Sequence, residues 1–509
     1  MSIPPLRPQP PAWNSATVRD TVGEDRLSDP DDGSLSRGDQ ETASSSGLPA
    51  APDVAGGKEA EPLGILRRTG RSLAPLFPQA PRTPRSRSAA IWTGLANLAA
   101  IVLSAWIMLA RQTGLPAWRT IWAEDRTIFL PQALYHPLGS LFQPYDGYLE
   151  FYPRLIAELV ARFPLKDAAA GFAVAGALTA ACTAVFVFHA SSGHVRRPEL
   201  RVLLAASVLL LPTALVEIAN SGVNSTWYLL FGTFWALLWR PRSRWGMAVA
   251  ALVCFASSSS NALAALYVPL VAARVIVLPR AREHAATLGW VAGGVLQLPA
   301  VLTLSRNHQA TTLTKALAFY GHNVILAAVA GHHGTELLRS AGWLGSGTEV
   351  ATLVVAAVAA WACIRLGPRV RVFVVTALAL GLILTLVATL VHGQVASILS
   401  ARPALYLRGS RYAQTPILMI DSAAIVAVDA VLRRHRIRFE RAAQVMAAFL
   451  LVAVLGTMWT SDFRYANSRA TFEPWSHIVA KIEGRCQPHS PGKRRVTRAE
   501  GIPCSAVHK

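Results

Sequence analysis

Glu124 and Asp125 stand side by side in the segment Trp122-Ala123-Glu124-Asp125-Arg126, about a dozen residues beyond the first long apolar run of the 509-residue chain. A carboxylate within about 3 Å of a hydroxyl can take its proton as the oxygen attacks. A leaving phosphate needs a cation, and the planar fork of arginine matches its oxygens. Asp125 as base beside Glu124, with Arg154, Arg408 or Arg411 on the phosphate, would meet both needs. The competing reading of the acidic pair is an ion-paired loop turn that caps the helix after it. A divalent cation on Asp125 is compatible with the same residue types.

The elements that must hold this pair read as membrane spans. The chain is 52% hydrophobic and 15% charged, against about 25% charge in soluble domains. Long apolar runs recur from residue 89 to 459. These features predict an all-α polytopic membrane protein with about 11 transmembrane helices; the ~10-residue alternating segments of a barrel are absent. The first run, 89–110, is long enough for a hydrocarbon core of ~30 Å. Arg82, Arg85 and Arg87 precede it, so the positive-inside rule keeps the N-terminus cytoplasmic and delivers Glu124 and Asp125 to the outer face. Further spans are read at 168–190, 202–219, 225–239, 285–304, 347–364, 372–392, 413–431 and 442–459. Residues 245–257 and 262–278 are either two crossings or one re-entrant hairpin.

Sixteen Lys and Arg fall in five short loops that this topology places inside. The net charge of +20 is therefore an orientation signal with some attraction for anionic membrane lipid, and nucleic acid is excluded as a partner. Residues 1–88 hold 11 basic and 11 acidic side chains among Pro, Ser and Gly. They are expected to be a disordered cytoplasmic tail. The transmembrane domain, 89–459, has long outer loops at 111–167, 305–346 and 393–412; the second contains an apolar stretch, Ala316 to Ala330, expected to lie on or dip into the membrane. A short extracytoplasmic tail, 460–509, follows, in which Cys486 and Cys504 can pair in an oxidising compartment.

Within the first outer loop, Leu149, Tyr152, Leu155, Ile156, Leu159 and Phe163 recur at helical spacing, and Glu150, Arg154, Glu158 and Arg162 alternate in sign every four residues. This predicts an amphipathic helix in the membrane interface with an exposed salt-bridge row. Arg154, after Tyr152-Pro153, is the member best placed to meet a phosphate. Arg126 and Tyr145 flank the same region. In the second outer loop, Glu217, Asn220, Asn224 and Trp227 offer amide hydrogen-bonders and an aromatic platform suited to a sugar, although Trp also favours interface depth on its own account. Gly331-His332-His333-Gly334 has only Glu336 nearby and reads as loop rather than metal site. Asp421 and Asp429 sit in the tenth run, where carboxylates are costly. Asp429 is expected to pair with the inside arginines; Asp421 either faces a lipid-phosphate cavity or bonds to another helix.

A long first outer loop opening with an acidic pair, on a multi-span scaffold with later loops and tail outside, resembles the GT-C superfamily of membrane glycosyltransferases. A closer likeness is to bacterial membrane proteins of this class showing W-x-E-D, then P-Y-x-G-Y and P-R. Here these are Trp122 to Asp125, Pro144 to Tyr148, and Pro153-Arg154, with Arg411-Tyr412, Trp475, Cys486 and Cys504 also similar. The resemblance implies hexosyl or pentosyl transfer from a polyprenyl-phosphate donor to a cell-envelope glycan, lipid or protein, at the outer face of the plasma (inner) membrane. It implies that the first-loop acidic residue is the general base, and that a divalent cation is used in part of the superfamily only. Two rival expectations stand beside it. A lipid-linked glycan transporter or flippase would show paired repeats and mid-span charges, and no clear repeat is seen. A non-catalytic partner in an envelope assembly complex would suit the long N-terminal tail.

Overall fold

The computed structural model describes residues 69–79, 86–212, 217–303, 311–391, 410–433, 438–464, 469, 472–486, 498–499 and 501–506. Arg408, with most of the third expected outer loop, lies outside the described residues, as does the tail up to residue 68. The principal helices are α1 (Arg87–Ala110), α2 (Phe151–Val160), α3 (Ala168–Ala190), α4 (Pro198–Leu210), α5 (Thr226–Leu238), α6 (Arg244–Ser258), α7 (Val268–Val277), α8 (Ala285–Thr303), α9 (Ala327–Ser340), α10 (Leu344–Arg365), α11 (Pro368–Val391), α12 (Arg411–Leu432), α13 (Arg438–Ser461) and α14 (Trp475–Cys486). Two short antiparallel hairpins, β1 (Pro144–Tyr145) with β2 (Tyr148–Leu149) and β3 (Arg498–Ala499) with β4 (Ile502–Pro503), are the strands among the described residues.

Among the described residues, seven helices are long and apolar enough to cross a membrane: Ser88–Ala110, Leu165–Gly193, Ala281–Leu302, Leu313–Ser340, Leu344–Arg365, Pro368–Val391 and Arg411–Leu432. A helix of that length, at 1.5 Å per residue, covers the ~30 Å hydrocarbon core. Their outward faces expose Trp92, Leu98, Leu103 and Trp106 on α1, and Leu353 and Ile364 on α10. Water does not tolerate apolar surface of that extent; this is an all-helical membrane protein.

Six of the seven coincide with runs read as spans in the sequence. The seventh, Leu313–Ser340, runs through the segment expected as the second outer loop. The apolar stretch Ala316 to Ala330 is its centre, and its polar residues find partners inside the fold. His322 Nδ1 lies 2.7 Å from Thr348 Oγ1. At Gly331, where φ is +71°, the helix breaks and restarts, and the N–H groups of His332 and His333 donate to buried Asp462 at 2.8 and 2.9 Å. The Gly-His-His-Gly tetrad is a helix restart anchored on a carboxylate.

Other expected spans are helical but short. α4 and α5 have 13 residues each, about 20 Å of helix. Every residue of α5 is buried, packed by α3, α6 and α12. A helix that is apolar all round belongs inside protein, so α5 need not match the bilayer. Asp429 is fully buried and accepts the N–H groups of Arg196 and Arg197, while Arg433 Nε lies 3.0 Å away. Asp421 lies against Ser207 of α4, the helix-to-helix alternative.

The expected tail is ordered where it meets the arginine-rich end of the bundle. Residues 69–76 are helical, and Leu76 and Phe77 are 2% exposed. His194 Nε2 bonds to the Leu76 carbonyl at 3.1 Å, and Arg240 Nη1 donates to the Phe77 carbonyl at 3.2 Å. The apolar quartet Leu73, Leu76, Phe77 and Pro78 interrupts an otherwise polar tail, and burying it offsets the cost of ordering the segment.

A Cβ at Gly193 would stand 2.6 Å from the Pro78 carbonyl oxygen. Gly193→Ala is therefore expected to undock residues 69–79. A loss of ~1.4 kcal/mol raises the open population about tenfold, read as faster tryptic cleavage at Arg71 in detergent. Cleavage at the wild-type rate would show that the segment does not dock on Gly193.

Candidate functional site

Glu124 and Asp125 open a π-helical turn, Asp125–Phe129, at the end of the bundle where α1 terminates. The turn sends the two neighbours in different directions. Asp125 is fully buried. Its Oδ2 accepts from Ser221 Oγ at 3.1 Å and Gly222 N at 2.9 Å; its Oδ1 accepts from Val223 N at 2.9 Å. Burial pushes its carboxyl up to about 7, against the pull of those donors. Behind it lies Arg469, 1% exposed, which donates to the carbonyls of Ala117, Thr120, Ala219 and Asn220 at 2.7 to 3.2 Å.

Glu124 instead borders a cavity of about 300 Å³. Polar residues border that cavity, namely Glu124, Tyr145, Asp146, Tyr148, Glu150, Asn224, Asn261 and Arg411. Apolar residues border it too, among them Leu263, Leu266, Val387 and Val391. Trp227 and Tyr412 also line it and meet edge to face at 5.4 Å. Glu124 Oε1 is 3.9 Å from Arg411 Nη1, and its buried Oε2 has no hydrogen-bond partner among the described residues. Arg411 Nη2 also reaches the Tyr412 hydroxyl at 3.3 Å. Asn224 is held by the Glu217 carbonyl, 2.9 Å from its Nδ2.

The β1–β2 hairpin supplies the facing wall. Asp146 and Gly147 have φ of +48° and +82°, so both central residues are left-handed, as a two-residue hairpin turn requires. Tyr145 pairs with Tyr148 across it, and Tyr145 packs on Phe129 at 5.6 Å. Gln297 of α8 pins the hairpin by exchanging two 2.8 Å bonds with the backbone of Leu149. Glu150 follows, 4% exposed, with Oε2 unpartnered among the described residues; burial holds its carboxyl well above the usual range. The first N–H groups of α2 are taken by Ser259 O and Ser260 Oγ, so the loop after α6 sets the angle at which α2 leaves the cavity.

α2 corrects the expected salt-bridge row. Its charged stripe faces inward: Glu150, Arg154 and Glu158 are all buried, while Leu155, Leu159 and Phe163 are exposed. Arg154 bonds to Gln132 Oε1 at 2.6 Å and stacks over Phe129 at 5.0 Å. Glu158 accepts from Leu138 N and Ser140 Oγ. Polar partners inside the loop draw the stripe inward and leave the apolar face for lipid.

Of the residues singled out in the sequence, Glu124, Tyr145, Asn224, Trp227 and Arg411 border the cavity. Asp125, Arg126 and Arg154 do not. Arg126 lies toward Glu473 instead. Tyr148 and Glu150 were missed as site residues; the Asp146-Gly147 turn signal between two tyrosines would have placed them on one hairpin. Arg469 was also missed. A divalent ion on Asp125 does not fit, since both carboxylate oxygens are occupied by protein donors. No group of three or more His, Cys, Asp or Glu among the described residues could hold a metal. In the tail, a Cys486–Cys504 disulfide, with Cα atoms 5.4 Å apart, joins α14 to the residues after β4. Trp475 Nε1 donates to the Leu165 carbonyl at 2.7 Å. No family model matches this chain, and no curated protein matches it.

The Asp125 cage has a pH signature. A carboxyl that titrates near 3.8 when free and near 7 when folded adds stability fully below about pH 4 and loses it as pH rises to about 7. Asp125→Asn is expected to flatten that fall in thermal midpoint, measured in detergent, and to lower the acidic-side stability by ~1–3 kcal/mol through mismatched donors. An unchanged slope between pH 5 and about 7 would sink the assignment.

Proposed function

We propose that this protein is a GT-C-like membrane glycosyltransferase. It moves a sugar from a polyprenyl-phosphate donor to a cell-envelope acceptor at the outer face of the plasma membrane, with Glu124 as general base. The observation that carries this reading is the mixed lining of the cavity. A lipid-linked sugar needs polar groups for its head and apolar ones for the start of its chain, and Glu124 and Leu266 border one space. Trp227 and Tyr412 offer ring faces to a sugar. Arg411 supplies one positive charge, matching the single charge of a phosphodiester. Glu124 borders the cavity with its side chain 25% exposed and with Arg411 no closer than 3.9 Å, which leaves the carboxylate open to an acceptor's hydroxyl.

Asp125 takes a different part from the one its position in the motif implies. A base must reach solvent-accessible substrate, and Asp125 is enclosed by protein donors. It holds Gly222 and Val223, and through them Asn224 and Trp227, against Glu124. Glu150, whose carboxyl burial holds well above the usual range, lines the same cavity and is placed to meet a sugar hydroxyl.

The test compares envelope glycans and accumulated polyprenyl-phosphate sugars in wild type, a deletion strain, and strains carrying Glu124→Gln or Asp125→Asn. Glu124→Gln is expected to match the deletion at a normal level of folded protein, a rate loss of about 10²- to 10⁴-fold. Asp125→Asn is expected to act mainly by lowering the amount of folded protein. If Glu124→Gln keeps wild-type glycans while the deletion loses a sugar, Glu124 is not the base. If the deletion leaves every glycan intact but disturbs donor distribution across the membrane, transport is the better account.

A further inference from the structure

The arginine-rich end of the bundle carries a second cavity, remote from Glu124. It is an open depression of about 560 Å³ bordered by Arg71, Arg369 and Arg433, the first two exposed, with Pro75, Pro368 and Val370 as apolar lining. The three guanidinium groups come from three separate pieces of chain: the docked segment 69–79, the start of α11 and the end of α12. No carboxylate borders this cavity. Arg433 is partly neutralised by Asp429 at 3.0 Å, but neither Arg71 nor Arg369 makes an ion pair with a described residue. The cavity at Gln79 is also lined by arginines, Arg240, Arg242, Arg280 and Arg282, but it holds a carboxylate, Glu283, which pairs with Arg240 at 2.7 Å. Three like charges converging on one space repel each other, and a phosphate is the counter-ion whose oxygens fit guanidinium forks.

We infer that this cavity binds a phosphate group, presented by an anionic lipid headgroup, and that the bound phosphate staples the 69–79 segment to the bundle. The apolar lining suits a phosphate carried on a glycerolipid. The wall contributed by Arg71 exists only while Leu76 and Phe77 are docked, so phosphate binding and segment docking stabilise each other. The site is independent of the proposed transfer reaction and survives its failure.

The test uses the full chain in neutral detergent, titrated with dioctanoyl phosphatidic acid, dioctanoyl phosphatidylcholine or inorganic phosphate. Binding is read by calorimetry, and docking by protection of residues 69–79 from hydrogen exchange. Phosphatidic acid is expected to protect the segment. Arg71→Gln/Arg369→Gln should weaken its binding by at least about tenfold, each lost charge-assisted contact being worth ~1.5 kcal/mol or more. Arg282→Gln/Arg365→Gln removes the same charge from exposed positions at the same end and should bind as wild type. Arg71→Gln alone, at an exposed position, keeps the test decisive if the double variant is poorly folded. Protection by inorganic phosphate at equal concentration would support the site and name free phosphate as its source. Equal weakening in both double variants, or protection by none of the probes, would overturn it, leaving only diffuse surface charge.

Discussion

The fold depends on buried charges that satisfy backbone groups at the ends of short helices. A helix leaves several N–H groups at its start and several carbonyls at its end without partners, and inside a membrane no water is there to take them. α4 and α5 both end within the protein. Asp429 accepts the N–H groups just before α4, and Arg111 donates to the carbonyls of Leu209, Leu210 and Leu211 at its end. Asp125 accepts the N–H groups just before α5, and Arg274 donates to the carbonyl of Leu237 at its end. Acid at the start and base at the end is the order the helix dipole favours. Each capping charge comes from a distant part of the chain, so each is also a tertiary tie.

This arrangement explains why two adjacent acids divide into scaffold and site. The N–H groups of Gly222 and Val223 have to be met, and Asp125 meets them. That bond fixes the backbone at 124, and Glu124 is thereby aimed at the cavity shared with Arg411. Arg469 completes the tie by joining the loop after α1 to the loop before α5 through four carbonyls. The interior therefore holds an ionisable residue, Asp125 or Arg469, on each side of the Asn220 turn, and their hydrogen bonds tie the backbone that leads to Asn224 and Trp227.

Much of this was legible in the sequence because it rests on composition and local signals. The long apolar runs and the arginine-rich loops follow from hydropathy and charge alone. Glu124, Tyr145, Asn224, Trp227 and Arg411, separated by up to 287 positions, border one space. What could not be read was direction. A four-residue repeat of Glu and Arg states that Glu150, Arg154 and Glu158 share a face; whether that face meets water or protein depends on Gln132, Leu138 and Ser140, which fold back on α2. Likewise hydropathy could not separate a helix crossing lipid from α5, which is enclosed by other helices. Leu313–Ser340 failed in the opposite sense, its histidines lowering an apolar signal although they are partnered within the fold.

The inward turn of the α2 charges has a consequence for how a lipid-borne substrate would meet the site. Leu155, Leu159 and Phe163 face outward, which seats α2 at the membrane surface with its apolar side on lipid. Its N-terminus, through Glu150 and the β1–β2 hairpin, lines the polar part of the cavity. One rigid element thus touches both phases, and Gln297 ties it to a membrane-crossing helix. The cavity's apolar lining comes from Leu263 and Leu266, which precede α7, and from Val387 and Val391 at the end of α11. A substrate with a polar head and an apolar chain would meet both kinds of lining. A wholly water-soluble ligand would leave Leu263, Leu266, Val387 and Val391 without an apolar partner.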